Sequence, residues 1–511
     1  IYLNSLLMIQ NSISYEIYSD KNYNFIYVLY FFDRLYIIRG CFCTRNIIIE
    51  EDYMQNIIGV ANWMWDNVIG YILLAVGLYY SLRLGFPQFK YAGNINRVLK
   101  KNLKSGDNIS GFAALATAVG GQVGTGSLVG VATAIVWGGP GAIFWMWITA
   151  LLGMVITFAE TVLGQLYRVK LEDGTYRGGP AYYVQYGLKS RGFAVLTAFF
   201  YILGVGLCIA FMQSNSIGQA FTGVVNANPI WPGIVVTLAA AIITIGGVKR
   251  LTEFSSKVVP FMAGLYILAV LFIIITNITE IPAMFGLIFR GAFKPEAIVG
   301  GLAGHTITEA FRHGVARGLF SNDAGNGIAG IMHASADVKH PAEQGFLGMF
   351  GTFVTTIIIC TLSAFAILLT GVAGNGHDGI LLVQDAFQSQ FGQVGRWLVF
   401  FAMSFFGFTT LIADLFYGES NILIMFGKNY KIPLWIYRIV AFIMFLVATQ
   451  MDLSIVWGFI DVFVGIVVFI NVICLFLLFK DVKVVLKDYQ KQLDEGIEEP
   501  VWQRDEEYRL Y

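Results

Sequence analysis

The chain has 511 residues, 57% of them hydrophobic and 13% charged, with 33 Lys+Arg against 33 Asp+Glu and a mean hydropathy of +0.67. About a quarter of an ordinary soluble domain is charged, so too few polar residues remain to cover this much apolar surface in water, and the chain belongs in a lipid bilayer. The composition excludes a disordered chain, a coiled coil and a disulfide scaffold, and the charge balance excludes nucleic-acid binding by bulk charge.

Residues 1–53 differ from the rest. They contain no alanine and a single glycine, Gly40, and are rich in Ile, Tyr and Asn. They read as an over-extended reading frame with Met54 as the start, or as a divergent N-terminal extension. The apolar run from Phe25 to Phe32 is too short to span a membrane. Of the five cysteines, Cys41 and Cys43 lack metal-ligand spacing, while Cys208, Cys360 and Cys474 sit in apolar runs as small hydrophobes.

A spanning helix needs about 20 apolar residues. Eleven candidates follow, at 64–84, 110–137, 141–167, 193–217, 229–248, 258–278, 299–333, 345–371, 396–425, 433–449 and 453–480. Lys and Arg gather on the cytoplasmic side of membrane proteins. Arg83, Lys90, Arg97, Lys100, Lys101 and Lys104 mark the first loop, and Arg168, Lys170, Arg177, Lys189 and Arg191 the third. The loops 218–228, 372–394 and 450–452 have no Lys or Arg; the loop 279–297 breaks the alternation with Arg290 and Lys294. This predicts an external N-terminus and a cytoplasmic C-terminus. The tail 481–511 reads as a solvated helix or a disordered end.

Two spans are interrupted. In the second, Gly120, Gly121, Gly124 and Gly126 cluster, and each interior Gly costs a helix up to about 1 kcal/mol relative to Ala. In the seventh, Gly325 and Gly327 combine with Ser321, Asn322, Asp323 and Asn326, and polar residues at bilayer depth are expensive. Unwound backbone there can coordinate a cation with freed carbonyls and a carboxylate with half-helix N–H groups. Close helix packing by small residues is the other reading, and Gly126 and Gly130 have its spacing. Two breaks five spans apart predict a five-plus-five inverted repeat with its site between the repeats.

At these residues the chain resembles the sodium:alanine (alanine or glycine:cation) symporter family. Val123-Gly-Thr-Gly-Ser-Leu-Val-Gly-Val-Ala-Thr-Ala134 is similar to the first broken helix of that family, and Gly314-Val-Ala-Arg-Gly-Leu-Phe-Ser-Asn-Asp-Ala-Gly325 to the second. Gly138-Gly-Pro-Gly-Ala-Ile-Phe-Trp-Met-Trp147, Phe158-Ala-Glu160, Gly178-Gly-Pro-Ala-Tyr-Tyr183 and Tyr417-Gly-Glu419 resemble further blocks. The resemblance covers roughly residues 60–480. It implies an all-α integral membrane protein of the LeuT type: eleven transmembrane helices, one extra N-terminal helix (54–109) before two inverted repeats (110–278 and 279–480). It also implies import of a small neutral amino acid with sodium as the coupling ion, in the cell membrane. The implied cation ligands are the carbonyls of Gly120, Val123 and Phe406 and the hydroxyls of Thr409 and Thr410. Ser127, Asp323, Asn326, Thr355 and Asp414 stand where the family usually has Asn, Glu, Leu, Asp and Trp.

For the substrate, Gly124, Thr125 and Gly126 present N–H groups to a carboxylate. Gln122, Ser127, Ser321 and Asn322 are polar contacts that could equally satisfy freed backbone, and Phe320 is a lid or a core ring. Asp414, one turn after Thr410, is a ligand for an amine, a cation or a proton, or a partner of Arg317. Glu160 and Glu419, near helix ends, read as solvated or structurally paired. His305, Glu309, Arg312 and His313 read as a paired face or a gate. Trp145 and Trp147 read as packing or interface anchors, and Thr352, Thr355, Thr356, Thr361 and Ser363 as hydroxyls bonded back to their helix, with Thr355 or Thr356 alternatively reaching a second ion. No nucleophile–base pair, phosphate loop or zinc spacing suggests an enzyme. Proton coupling and an uncoupled ion channel of the same fold are the alternatives.

Overall fold

The computed structural model describes residues 59–503, except 61–62, 104–107, 226, 295, 300–301 and 452, together with Tyr508. The expectation for residues 1–53 lies outside the described residues. The rest is helical, with two short antiparallel hairpins, β1 Val169–Lys170 with β2 Tyr176–Arg177 and β3 Glu296–Val299 with β4 Leu302–His305.

The principal helices in chain order are α1 Asn67–Leu84, α2 Gly111–Gln122, α3 Thr125–Gly138, α4 Ala142–Leu166, α5 Arg191–Thr222, α6 Ile230–Ile245, α7 Gly247–Thr276 and α8 Ile281–Phe293. They continue as α9 Ile307–Asn322, α10 Ile328–His333, α11 Pro341–Leu369, α12 Gly379–Phe391, α13 Gln393–Phe426, α14 Lys431–Ala448, α15 Leu453–Leu477 and α16 Phe479–Asp494. Among the described residues nine helical runs are long and apolar enough to cross a membrane, counting α2 and α3 as one. Helix α6 is apolar but shorter, and the seventh expected span is too polar to meet that measure.

The structure moves the start of the seventh span. The apolar stretch before Thr306 pairs as the β3–β4 hairpin, and helix begins only at Ile307. Thr306 and Glu309 form a capping box there: the Thr306 hydroxyl accepts from Glu309 N–H (3.1 Å) and Glu309 Oε2 accepts from Thr306 N–H (2.7 Å). The stretch expected as the loop 279–297 contains the amphipathic helix α8, which buries Met284, Ile288 and Ala292 and exposes Phe289 and Phe293.

Burial separates the bundle into a centre and a rim. Of the most apolar window of α2–α3, 94% is buried, against 28% for α7 and for α14. Outer helices expose Trp231, Leu238, Ile242, Phe261, Leu268, Ile275, Ile439 and Ile443, side chains suited to lipid. The first interrupted span is therefore the axis of the molecule. Small residues make this possible: a Cβ on Gly141 would strike the backbone of Gly291, and one on Gly164 that of Gly330.

Candidate functional site

The first interruption is brief. Ser110 caps α2 by accepting from Ala113 N–H (3.1 Å). Helix α2 ends at Gln122, Val123 takes a non-helical conformation (φ −81°, ψ 67°), Gly124 is neither helical nor extended (φ −119°, ψ −135°), and α3 restarts at Thr125. A Cβ on Gly124 would run into Thr410 Oγ1 and sit 2.7 Å from Gln213 Oε1, so only glycine fits. Thr125 N–H donates to Gln213 Oε1 (3.1 Å), while the Thr125 hydroxyl, fully buried, has no partner.

Across this break lies α13. The Thr409 hydroxyl reaches the carbonyls of Gly120 (3.0 Å) and Phe406 (3.0 Å), and the Thr410 hydroxyl reaches the same two (2.9 Å each). Two carbonyls and two hydroxyls thus converge from two helices, all buried and uncharged. Neutral, hard oxygen ligands fit a desolvated alkali cation. Among the described residues no group of three or more His, Cys, Asp or Glu is placed to hold a metal ion. Val123 stands at the adjoining helix end.

The second interruption is longer. Asp323 closes α9 in the left-handed region (φ 57°), Gly325 (φ 96°) and Gly327 (φ 76°) follow, and α10 restarts at Ile328. Positive φ is cheap for Gly and strained for other residues, which accounts for two of the three positions. Asn322 Oδ1 accepts from Ala324 N–H (3.0 Å), Asn326 Oδ1 from Ile328 N–H (3.1 Å), and Asp323 Oδ1 from Asn326 Nδ2 (3.1 Å).

Sequence reasoning placed Glu160 in a solvated or structurally paired position. It is fully buried and anchors this second break: its Oε1 accepts from Gly325 N–H (2.9 Å), Gly327 N–H (3.0 Å) and Asn471 Nδ2 (2.6 Å). Asn471 also donates to Gly325 O (2.9 Å) and accepts from the Tyr183 hydroxyl, while the Tyr201 hydroxyl donates to Asn326 O. The unwound backbone leaves N–H groups without helical partners, and a carboxylate supplied from α4 collects them. Glu419 is paired, accepting from Arg438 Nε at 2.6 Å.

The two breaks meet. A Cβ on Gly126 would lie 2.9 Å from Ser321 Cα and 3.0 Å from Phe320 O. Gln122 Nε2 donates to Asn322 O (2.9 Å), and Ser127 Oγ is 3.5 Å from Gln122 O. Ser321 is turned to α11, with Cys360 Sγ at 2.8 Å and Thr356 Oγ1 at 3.3 Å. Phe320 packs edge-on against Trp457, whose ring also carries the Arg317 guanidinium at 3.6 Å. Arg317 bonds both oxygens of Asp461 (3.2 Å each), so it is not the partner of Asp414. Buried polar atoms without a partner cluster here: Gln122 Oε1, Thr125 Oγ1, Asn322 Nδ2 and Asp414 Oδ2. Such atoms in a native core call for a ligand or water.

The remaining sequence candidates lie elsewhere. Glu309 is a helix cap and His313 meets Trp137 edge-on. Trp147 donates to Thr361 Oγ1 (2.8 Å), and Trp145 packs on Phe311. Thr355 and Ser363 bond back to their own helix. Gln213, Asn471, Tyr183 and Tyr201 belong to the site and were missed. Gln213 follows Met212 in a run with Ser214, Asn215 and Ser216, a polar cluster inside a span that was the available signal.

The profile described as the sodium:alanine symporter family matches residues 51–504. The amino-acid carrier protein AlsT of Bacillus subtilis is 40% identical over 450 residues, covering 88% of this chain and 95% of that protein. The sodium/alanine symporter AgcS of Methanococcus maripaludis is 34% identical over 441 residues, covering 84% and 95%. Among solved structures, MhsT in complex with L-phenylalanine superposes with a TM-score of 0.53 at 13% identity, over 73% of this chain and 96% of that one, which shows a shared fold.

Proposed function

The chain belongs to the sodium:alanine symporter family, and on that premise we propose that it carries a small neutral amino acid, alanine or glycine, into the cell on an inward sodium gradient. It is a multi-pass transporter of the LeuT-type fold, not an enzyme. The observation that carries the proposal is the contact of an uncharged oxygen cage with the first break, which itself meets the second. The carbonyl of Gly120 and the hydroxyls of Thr409 and Thr410 are suited to sodium, and Thr410 also abuts Gly124 at the break. Sodium held there ties α2 to α13 and fixes the break against which the amino acid binds.

The substrate carboxylate is assigned to the start of α3, at Gly124, Thr125, Gly126 and Ser127, where N–H groups and the helix dipole favour a negative charge. Gln122, Phe320, Ser321, Asn322 and Asp414 complete the pocket. Loop charges assign the N-terminal side of the first span to the outside and the C-terminus to the cytoplasm. Transport follows alternating access, because a ligand bound better by one state shifts the population toward it.

Uptake of labelled alanine and glycine into proteoliposomes tests this, with an inward sodium gradient set against potassium and proton gradients. Accumulation with sodium alone is expected. Current without accumulation would replace the symporter reading with a channel, and accumulation on a proton gradient would replace the ion.

A further inference from the structure

Asp414 sits on the face of α13 that runs along the first break. One turn before it, Thr410 bonds Gly120 O, and beside it Ala413 and Tyr417 close on Gly121, where a Cβ would lie 3.2 Å from Ala413 Cβ and 2.9 Å from the Tyr417 hydroxyl. Gln122, next to Gly121 at the end of α2, donates to Asn322 O (2.9 Å), beside Asp323 in the second break. Two buried carboxyl groups, one on α13 and one in the second break, therefore flank the end of α2.

Among the ion pairs of the described residues neither carboxylate appears; Arg317 is committed to Asp461, Arg438 to Glu419, and Arg177 lies over the Phe416 ring at 4.9 Å. Asp323 accepts one hydrogen bond, from the neutral Asn326, and Asp414 Oδ2 accepts none. A buried carboxylate without a donor or counter-charge is strongly unfavourable, and a second like charge adds to it. The oxygen cage at Gly120, Phe406, Thr409 and Thr410 uses neither carboxylate, so the cation it suits leaves both uncompensated. An ammonium group brings N–H donors and a positive charge together, whereas an amide brings donors alone.

We infer that Asp414 and Asp323 form a subsite for an ammonium group of the transported amino acid. The inference rests on the carrier function proposed above and adds the chemistry of its cargo. The ammonium has two sources: the α-amino group common to all amino acids, or a side-chain amine as in 2,4-diaminobutyrate.

Binding to the purified full chain in sodium, read as ligand-induced thermal stabilisation, separates them. The probes are L-alanine, 2,4-diaminobutyrate and propionate, which is alanine without its ammonium. Wild type should bind alanine and not propionate. Asp414→Asn should weaken amino-acid binding roughly ten- to hundredfold, the scale of a hydrogen bond to a charged group. Its stabilisation by sodium alone should remain, which also shows that it folds; Asp323→Asn provides the second variant. If the α-amino group is held, alanine and diaminobutyrate weaken together. If a side-chain amine is held, diaminobutyrate binds more tightly than alanine and only that preference is lost. Wild-type affinities in both variants, propionate binding as well as alanine, or a change confined to sodium would overturn the subsite. Wild type stabilised by sodium but by no amino acid would overturn the carrier function itself.

Discussion

At the scale of single residues, the site works through oxygens that a methyl group could not replace. Each of Thr409 and Thr410 turns its hydroxyl to the Gly120 carbonyl. If the cage holds sodium as proposed, truncating either to Ala removes one ligand and leaves the remaining cage open, with a loss on the order of 1–2 kcal/mol, or about tenfold in affinity. The expected result for Thr409→Ala and Thr410→Ala is a sodium half-saturation about tenfold higher, with uptake recovering in saturating sodium. An unchanged sodium titration would remove both hydroxyls from the cation site. Glu160 makes a sharper contrast. Its Oε1 gathers three donors, two of them backbone N–H groups of the second break. Gln offers a carbonyl oxygen at the same place, while Ala strands those donors at about 1–3 kcal/mol each. Glu160→Ala should therefore lose several degrees of thermal stability or fail to fold, and Glu160→Gln should keep most of it, as read by melting of the purified protein. Equal melting of the two variants would mean that the carboxylate does not hold the break.

At the scale of elements, the glycines do two separate things. Gly325 and Gly327 supply positive φ at the break, whereas Gly164 and Gly330 let α4 and α10 touch along their backbones. A Cβ at Gly330 would lie 2.7 Å from Glu160 O, which is backbone and does not yield. Gly330→Ala should push α10 away from α4 and reduce transport at fixed expression, an effect that Gly286→Ala, with open space around it, should not show. Equal uptake by the two variants would dismiss the contact. These elements were legible in the sequence to different depths. Long apolar runs located the spans, because a bilayer demands length and composition that few soluble segments have. Clustered glycines located both breaks, because helix propensity is a local property. The partners of the breaks were not legible: Gln213 lies 88 residues from Thr125, and Asn471 lies 311 from Glu160. No periodicity links residues that meet only through tertiary packing. For Glu160, read as solvated or structurally paired, the partners were hidden for the same reason, since they are Asn471 and backbone N–H groups freed by a break on another helix. Helix α8 was missed because Arg290 and Lys294 interrupt an apolar run that lies on one face rather than spanning.

At the scale of the whole molecule, the C-terminal end of the described chain folds back onto the face that the loop charges assign to the cytoplasm. Helix α16 buries Phe479, Val482, Val485, Leu486 and Tyr489, and the tail folds back so that Val501 pairs reciprocally with the Gln492 side chain (2.8 and 3.0 Å). Trp502 N–H then donates to Lys339 O (3.0 Å), in the connection between α10 and α11, and Glu499 pairs with Lys339 (2.5 Å). His340 completes the contact. Its Nδ1 accepts from Ala342 N–H (3.1 Å), so Nε2 carries the proton and donates to Asp488 (3.2 Å). By that assignment α10 is the cytoplasmic half of the second broken span, and the inward release proposed above would move its connection. Trp502→Ala, or truncation after Asp494, should raise the labelling rate of a cysteine placed at buried Ser335 several-fold in inside-out vesicles. Burial pushes His340 down to about 4 from 6.5, outweighing Asp488 on one side, with Lys101 acting in the same direction as burial. Tyr489 and Trp502 are its other close neighbours. Docked imidazole stays neutral while released imidazole titrates near its ordinary value. The released state therefore binds the extra proton between about 6.5 and 4, and docking is strongest above that window and weakens as pH falls through it. Labelling at Ser335→Cys, taken relative to the truncated chain at the same pH, should stay flat from pH 8 to 7 and climb toward the truncated rate below about 6. His340→Gln, uncharged at every pH, should abolish the climb, and a climb that persists in that variant would assign the pH response to another group.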